Sequence, residues 1–187
     1  MTRIAYQGAP GAFSHLAARD LFPRATTQAM SDFASVIRAV TQGRAELGIL
    51  PVENSAMGEV CEASAALQAA SGLVIVQDAT FPIHHCLLAL PGAEISGIRW
   101  VESHPAALAQ CARWLSAQPM TVRAVGDTAG AARSIAADRD FTRAAIAGVE
   151  AAERYGLEVI ARDIADHPDN RTRFVVIASA ARAEAAA

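Results

Sequence analysis

Short apolar runs of strand length alternate with amphipathic segments of helix length along nearly the whole chain, with glycine, proline or a capping residue at many of the joints. Such alternation is the pattern of an α/β protein with a largely parallel sheet. Residues 3–7 read as a first strand, 8–11 as a glycine-containing break, and 12–21 as a helix that stops before Pro23. A second helix follows Ser31, read as its N-cap with Asp32 in the first turn; Phe33, Val36, Ile37 and Val40 then fall at helical spacing, and Gly43 ends it. Residues 46–50 form the next strand, closed by Pro51, and 58–70 a small-residue helix ending at Gly72. The stretch 73–90 is long enough for one extended strand or two joined at Pro82, and reads as a crossing between lobes. Strands at 98–101, 122–125, 144–147 and 157–161 then alternate with helices at 106–115, 129–137 and 149–155. A final strand at 172–177 follows the polar segment 163–171, and the alanine-rich tail 180–187 reads as frayed helix.

With 52% apolar and 19% charged residues, the 187-residue chain has the composition of a packed globular protein, and it is long enough to form a core without a disulfide or metal. A net charge of -3 and a pI near 5.9 supply no basic field, which argues against nucleic acid as a partner. All 16 basic residues are arginine. The absence of lysine excludes Schiff-base chemistry and a P-loop. Cys61, Cys86 and Cys111 are far apart and read as reduced thiols. The N-terminus enters a strand pattern at once, without the apolar stretch of a signal peptide, and no run approaches the ~20 apolar residues of a membrane span. The expected location is cytoplasmic.

Four polar clusters interrupt this scaffold, each at the end of an expected strand, where ligands bind in open α/β sheets: residues 8–14, 51–58, 126–129 and 170–174. The glycine turn at 8–11 is either an ordinary turn or a place for close backbone approach to an anion at a helix start. Asp127 and Thr128 at a helix start are ambiguous in the same way, with ordinary capping the favoured role. Glu53, Asn54 and Ser55 have no evident packing role, yet could form a surface turn. His84 and His85 should point to opposite faces, so packing is the expected role and a shared metal site is not. His104 reads as a helix start. His167 with Asp166 and Asp169 is either a metal cluster or, more ordinarily, a solvated turn. Around Thr172, Arg171 and Arg173 could fork a carboxylate, but strand alternation puts both arginines on one side and the hydroxyl on the other.

Together the motifs YQGAPGAFS (6–14), LPVENSxxG (50–58), PIHHCLLALP (82–91), SHP (103–105) with Gln110 and Cys111, DTAGAA (127–132) and NRTRF (170–174) resemble the catalytic domain of the prephenate and arogenate dehydratases. Several spaced motifs in order are far more specific than a lone glycine pattern. The resemblance implies a two-lobed fold like that of the type II periplasmic binding proteins, with the active site in the inter-lobe cleft. The expected lobes are residues 1–76 with 166–180, and 77–165, followed by a flexible tail at 181–187. It implies decarboxylative dehydration of prephenate to phenylpyruvate, or the corresponding reaction of arogenate, in phenylalanine biosynthesis, with no metal or organic cofactor.

On the resemblance, Thr172, Asn54 and Gln110 form the catalytic set, Thr172 being the donor to the departing hydroxide. Arg173 would fork the side-chain carboxylate, with Ser55, Glu53, Ser103, His104 and Phe174 lining the site. Thr128 and the amides of Ala12, Phe13 and Ser14 would hold an anion. Without lysine, carboxylate recognition must rest on arginine, helix ends and neutral donors. A C-terminal ACT regulatory domain, carried by many members, is not expected in a chain of this length, and neither is phenylalanine feedback. A homodimer is expected. The competing readings are a non-catalytic small-anion-binding protein and a hydrolase of small esters or lactones, although no GxSxG elbow or zinc histidine pair is present.

Overall fold

Along β1 (Arg3–Gln7), Ile4 and Tyr6 point to one face and Ala5 to the other, and all three are buried. A strand buried on both faces belongs inside a sheet covered by helices on both sides. The computed structural model, which describes residues 2–186, has this arrangement. After β1 come α1 (Phe13–Leu21), β2 (Thr26–Met30), α2 (Phe33–Thr41), β3 (Leu47–Asn54), β4 (Gly58–Glu59), α3 (Cys61–Gln68) and β5 (Leu73–Pro82). The chain continues through β6 (Cys86–Ala89), β7 (Trp100–Ser103), α4 (Pro105–Gln110), α5 (Ala112–Ser116), β8 (Thr121–Ala124) and α6 (Thr128–Asp138). It ends with β9 (Arg143–Ala147), α7 (Val149–Tyr155), β10 (Glu158–Ala161), β11 (Arg171–Ser179) and α8 (Ala180–Ala186).

Two compact units result. The first comprises the residues up to Gly8, Phe13–Pro82 and the chain from Arg171 on; the second comprises Ala9–Ala12 and Ile83–Asn170. The divisions lie later in sequence than the expected boundaries after residues 76 and 165, because β5 and β11 pair along their whole lengths, from Leu73 opposite Ser179 to Pro82 opposite Arg171. The short segment 9–12, expected with the first lobe, packs instead in the second unit, where Ala9 and Ala12 join the core formed with α6 and α7.

In the first unit the strand order is β2-β1-β3-β11-β5, with β4 paired to β3. The sheet is mixed and not largely parallel: β1 runs parallel to β2 and β3, whereas β11 is antiparallel to both β3 and β5. On one face Ile4, Tyr6, Ile49, Phe174 and Val176 pack against Ala17 and Ala18 of α1. On the other, Ala5, Leu50, Val175 and Ile177 pack against Val36, Ile37 and Val40 of α2. The edge strand β2 escapes sequence reading because Thr26, Thr27 and Gln28 give it no apolar run. Asp32, not Ser31, caps α2, accepting from Ser35 N at 2.6 Å. Pro51 does not close β3, which continues to Asn54: pairing with β1 has ended by Ile49, and the register against β11 shifts beside the proline, where a missing N–H is tolerated.

The second unit has strand order β10-β6-β9-β7-β8, also mixed. Its central strands β6 and β9 are nearly all apolar and buried between α6 and α7 on one face and α4 with Leu115 on the other. The expected single helix at 106–115 breaks at Cys111. Asp166 is the cause: its N–H takes the Gln110 carbonyl (2.6 Å), and its carboxylate caps α5 by accepting from Arg113 N at 3.1 Å. A further anchor is Glu102, buried and held bidentately by Arg143 at 3.0 and 2.7 Å; Arg143 also pairs with Asp138.

Candidate active site

Asn54 ends β3 and opens a hairpin that returns at Gly58, whose φ of 78° lies in the left-handed region. Inside the turn the Asn54 side-chain carbonyl accepts from Ala56 N and Met57 N, both at 3.0 Å. Spending Oδ1 on two backbone amides forces the other end of the carboxamide, its NH2, toward β11. There it donates to Thr172 Oγ1 at 2.9 Å and to Arg171 O at 3.1 Å. Ser55 completes the strap: its N–H donates to Arg171 O, and its hydroxyl accepts from Arg171 N, both at 2.9 Å. The polar run after β3 is therefore a device for holding the first turn-facing residues of β11.

Thr172 is buried, 8% exposed, while Arg171 and Arg173 on either side of it are exposed. Alternation separates them as the sequence requires. Arg173 does not share a face with Thr172; its Nε donates to Asp78 Oδ2 at 2.9 Å and its Nη1 lies 3.5 Å from Glu53 Oε2. These acidic partners raise the Arg173 pKa, chiefly through the Asp78 hydrogen bond. Glu53 is thus a partner of Arg173 across paired strands, and Phe174 is a core residue, edge-on to Phe81 with ring centroids 6.0 Å apart.

A second cluster lies in the other unit. Gln110 Oε1 accepts from Asn170 Nδ2 at 3.1 Å and lies 2.6 Å from His85 Nε2, and all three side chains are buried. Burial pushes the His85 pKa down, partly offset by the Gln110 hydrogen bond, so the ring is neutral near pH 7. Asn170 is also the residue whose carbonyl accepts from Ile83 N at 2.8 Å. Its neighbour in the chain is Arg171, where β11 begins.

The remaining expected residues belong to both units. Ser103 is buried and donates to Ile146 O at 2.6 Å, a link between strands. His104 is exposed and caps α4, its Nδ1 accepting from Ala106 N at 3.2 Å. Thr128 opens α6, where Asp127 accepts from Gly130 N at 2.6 Å. Ala12 packs in the core of the second unit, while Phe13 and Ser14 begin α1. At Gly11, φ is 97° and an added Cβ would stand 3.4 Å from Ala151 Cα, so the close approach this glycine permits is to α7. Tyr155 of α7 donates from its hydroxyl to Pro10 O at 2.5 Å.

His84 is exposed and faces Asp163 at 3.3 Å. Among the described residues, no three His, Cys, Asp or Glu side chains form a group that could hold a metal ion. Burial pushes the Cys111 thiol up to about 12, which leaves it protonated and unfit as a nucleophile. Sequence reasoning gave His85 only a packing role and quoted Asn170 only as part of a motif, with no role of its own. An adjacent histidine pair in an apolar run and an asparagine directly before an RTRF segment were the available signals, but neither says which side chain it will meet.

A mixed α/β fold of this kind is shared with a periplasmic substrate-binding protein of Coxiella burnetii, at 13% identity and a TM-score of 0.50 over 97% of this chain and 85% of that one, a likeness of fold alone. The family is defined by a nearer comparison. The prephenate dehydratase profile matches residues 4–182, and the chain belongs to that family. Arogenate dehydratase 1 of Petunia hybrida is 43% identical over 94% of this chain and 42% of its own length. A bifunctional N-acyl-homoserine lactone acylase/prephenate dehydratase of Komagataeibacter europaeus is 40% identical over 92% of this chain and 61% of its own length. Among solved structures, the prephenate dehydratase of Arthrobacter aurescens in complex with L-Phe has a TM-score of 0.87 at 30% identity, covering 95% of this chain and 60% of that chain. The chain therefore spans less than two thirds of the length of these relatives.

Proposed function

We propose that this chain catalyses decarboxylative dehydration of prephenate to phenylpyruvate, with arogenate, giving phenylalanine, as the alternative substrate. The observation that carries the reading is the buried Asn54–Thr172 pair. In the reaction the bond to the ring carboxylate breaks and its electron pair enters the ring as carbon dioxide leaves. The opposite carbon–oxygen bond breaks with its pair on oxygen, and the departing hydroxide takes a proton to become water. Asn54 Nδ2 occupies a lone pair of Thr172 Oγ1, which turns the hydroxyl hydrogen outward as a donor and makes it more acidic. Thr172 shares that hydrogen with the leaving oxygen as charge develops, and solvent restores it. Arg173, which the resemblance assigns to the side-chain carboxylate, is engaged by Asp78 and Glu53.

Family membership and identities of 40–43% support the reaction class without separating prephenate from arogenate. Incubation of the purified protein with each substrate, with phenylpyruvate and phenylalanine measured separately, tests the reading; no product from either would sink it. Hydrolysis of N-acyl-homoserine lactones is a second reading, favoured by the acylase activity of the bifunctional Komagataeibacter relative, and a panel of these lactones in the same assay tests it. A cytoplasmic homodimer belongs to the same proposal. Three free thiols support the compartment, and the exposed Ile75 and Val76 on edge strand β5 support self-association, which light scattering measures.

A further inference from the structure

The dehydratase reading uses Thr172 and Asn54, and the resemblance adds Gln110, but neither gives a role to the buried histidine against which Gln110 rests. We propose that His85 is a positioning residue for this reaction: its Nε2–H fixes the Gln110 carboxamide, whose Oε1 in turn holds Asn170, the residue directly before the strand that carries Thr172.

The geometry assigns each partner one role. Gln110 Oε1 lies 3.1 Å from Asn170 Nδ2, a group that can only donate, so that oxygen faces both neighbours as the acceptor. His85 Nε2, at 2.6 Å from the same oxygen, must then carry a proton. A carboxamide held by two donors on one oxygen cannot flip without leaving both of them beside an NH2 group. The orientation of Gln110 is thus set by His85 and Asn170 together. His85 is 2% exposed, which keeps water from substituting for its ring. Burial also disfavours the imidazolium, so the ring serves as a neutral donor and not as a proton carrier.

The effect reaches β11 through the main chain. Asn170 fixes both its side chain, on Gln110, and its carbonyl, on Ile83 N. The next residue is Arg171, whose N–H and carbonyl are strapped by Ser55, and then comes Thr172. Losing the His85 donor leaves the Gln110 oxygen with one donor fewer and loosens this anchor one residue before the strap.

Three variants and one spectrum test the role, which rests on the dehydratase reading. His85→Leu, which fills the volume without a donor, should lower kcat for phenylpyruvate formation about 10- to 100-fold, the effect of one mispositioned buried hydrogen bond, while circular dichroism stays that of the wild type. His85→Gln places an NH2 the same number of bonds from Cβ as Nε2 and should recover most of kcat; His85→Phe should not. In the 15N-labelled wild type, the His85 ring should show a protonated Nε2 and an unprotonated Nδ1 near pH 7. Wild-type kcat in folded His85→Leu, a His85→Gln variant as slow as His85→Leu, or an Nδ1–H tautomer would each overturn the role while the dehydratase reading stood. A wild type that turns over neither prephenate nor arogenate would overturn both.

Discussion

Replacing Asn54 by aspartate separates the turn that this residue builds from the hydrogen bond it lends to Thr172. One carboxylate oxygen can still accept from Ala56 N and Met57 N, so the hairpin to Gly58 should form. The other oxygen replaces an NH2 that donates to Thr172 Oγ1 at 2.9 Å and to Arg171 O at 3.1 Å. The bond to Arg171 O is lost, that to Thr172 is reversed, and a carboxylate is brought against a carbonyl, so stability should fall by about 1–3 kcal/mol. The larger change is chemical. The Thr172 hydroxyl now has an anionic acceptor beside it and turns its hydrogen inward, so it no longer meets the leaving oxygen. Loss of one preorganised donor costs about 100- to 1,000-fold in turnover, or about 2.7–4 kcal/mol of barrier. Steady-state phenylpyruvate formation gives kcat and KM, and a thermal melt reports stability separately. A folded Asn54→Asp protein with kcat within about 3-fold of wild type would refute the idea that the Asn54 donor sets the direction of the Thr172 hydroxyl.

Thr172→Val keeps the shape and removes the hydroxyl; kcat for phenylpyruvate should fall about 100-fold or more with a stability loss of only about 1 kcal/mol, measured by assay and melt on the same preparation. Glu102→Ala leaves Arg143 with Asp138 and Ser134 but breaks a buried bidentate pair, so stability should drop by about 3 kcal/mol and the melting temperature by about 6–12 °C. At Gly48 an added Cβ would meet Val36 Cγ1 at 2.9 Å and Val40 Cγ2 at 3.0 Å, so Gly48→Ala should cost about 1–3 kcal/mol in a denaturant titration, and an unchanged midpoint would contradict the packing of α2 on β3. His85 titrates lower in the folded chain than in the unfolded one, so the unfolded state binds the extra proton below the ordinary histidine value of about 6.5. Stability should therefore fall as pH drops from about 6.5 toward the folded value, and this share of the acid sensitivity should be missing in His85→Leu.

Where a buried apolar run is bounded by clear breaks, the sequence was readable. β1, β9 and α7 lie where their patterns placed them or within a residue of it, because their apolar residues and flanking glycines agree. The edge strand β2 was not readable, since polar side chains on an exposed edge leave no period to detect. Nor was the break at Cys111, which depends on Asp166 reaching back across more than fifty residues to cap α5, a contact that no local propensity encodes. The same division holds for the candidate site. The Asn54–Gly58 spacing is a local turn, visible as NSxxG, and alternation correctly placed Thr172 opposite its flanking arginines. The engagement of Arg173 by Asp78 required knowing that β5 lies beside β11 and in what register, which is a property of the whole sheet.

The position of β11 also dictates an order of assembly. It is the last strand among the described residues, yet it lies between β3 and β5 in the first sheet and makes the most extensive pairing there. As the polypeptide emerges during synthesis, β3 and β5 must wait for it with their facing edges unsatisfied while residues 83–170, which supply nearly all of the second unit, are made. The second unit can therefore be complete before the first. Thr172 reaches Asn54 only in that closing event, so a nascent chain would gain its candidate proton donor at the moment its sheet is sealed, and folding intermediates arrested before it should be inactive and prone to pair their open edges with one another.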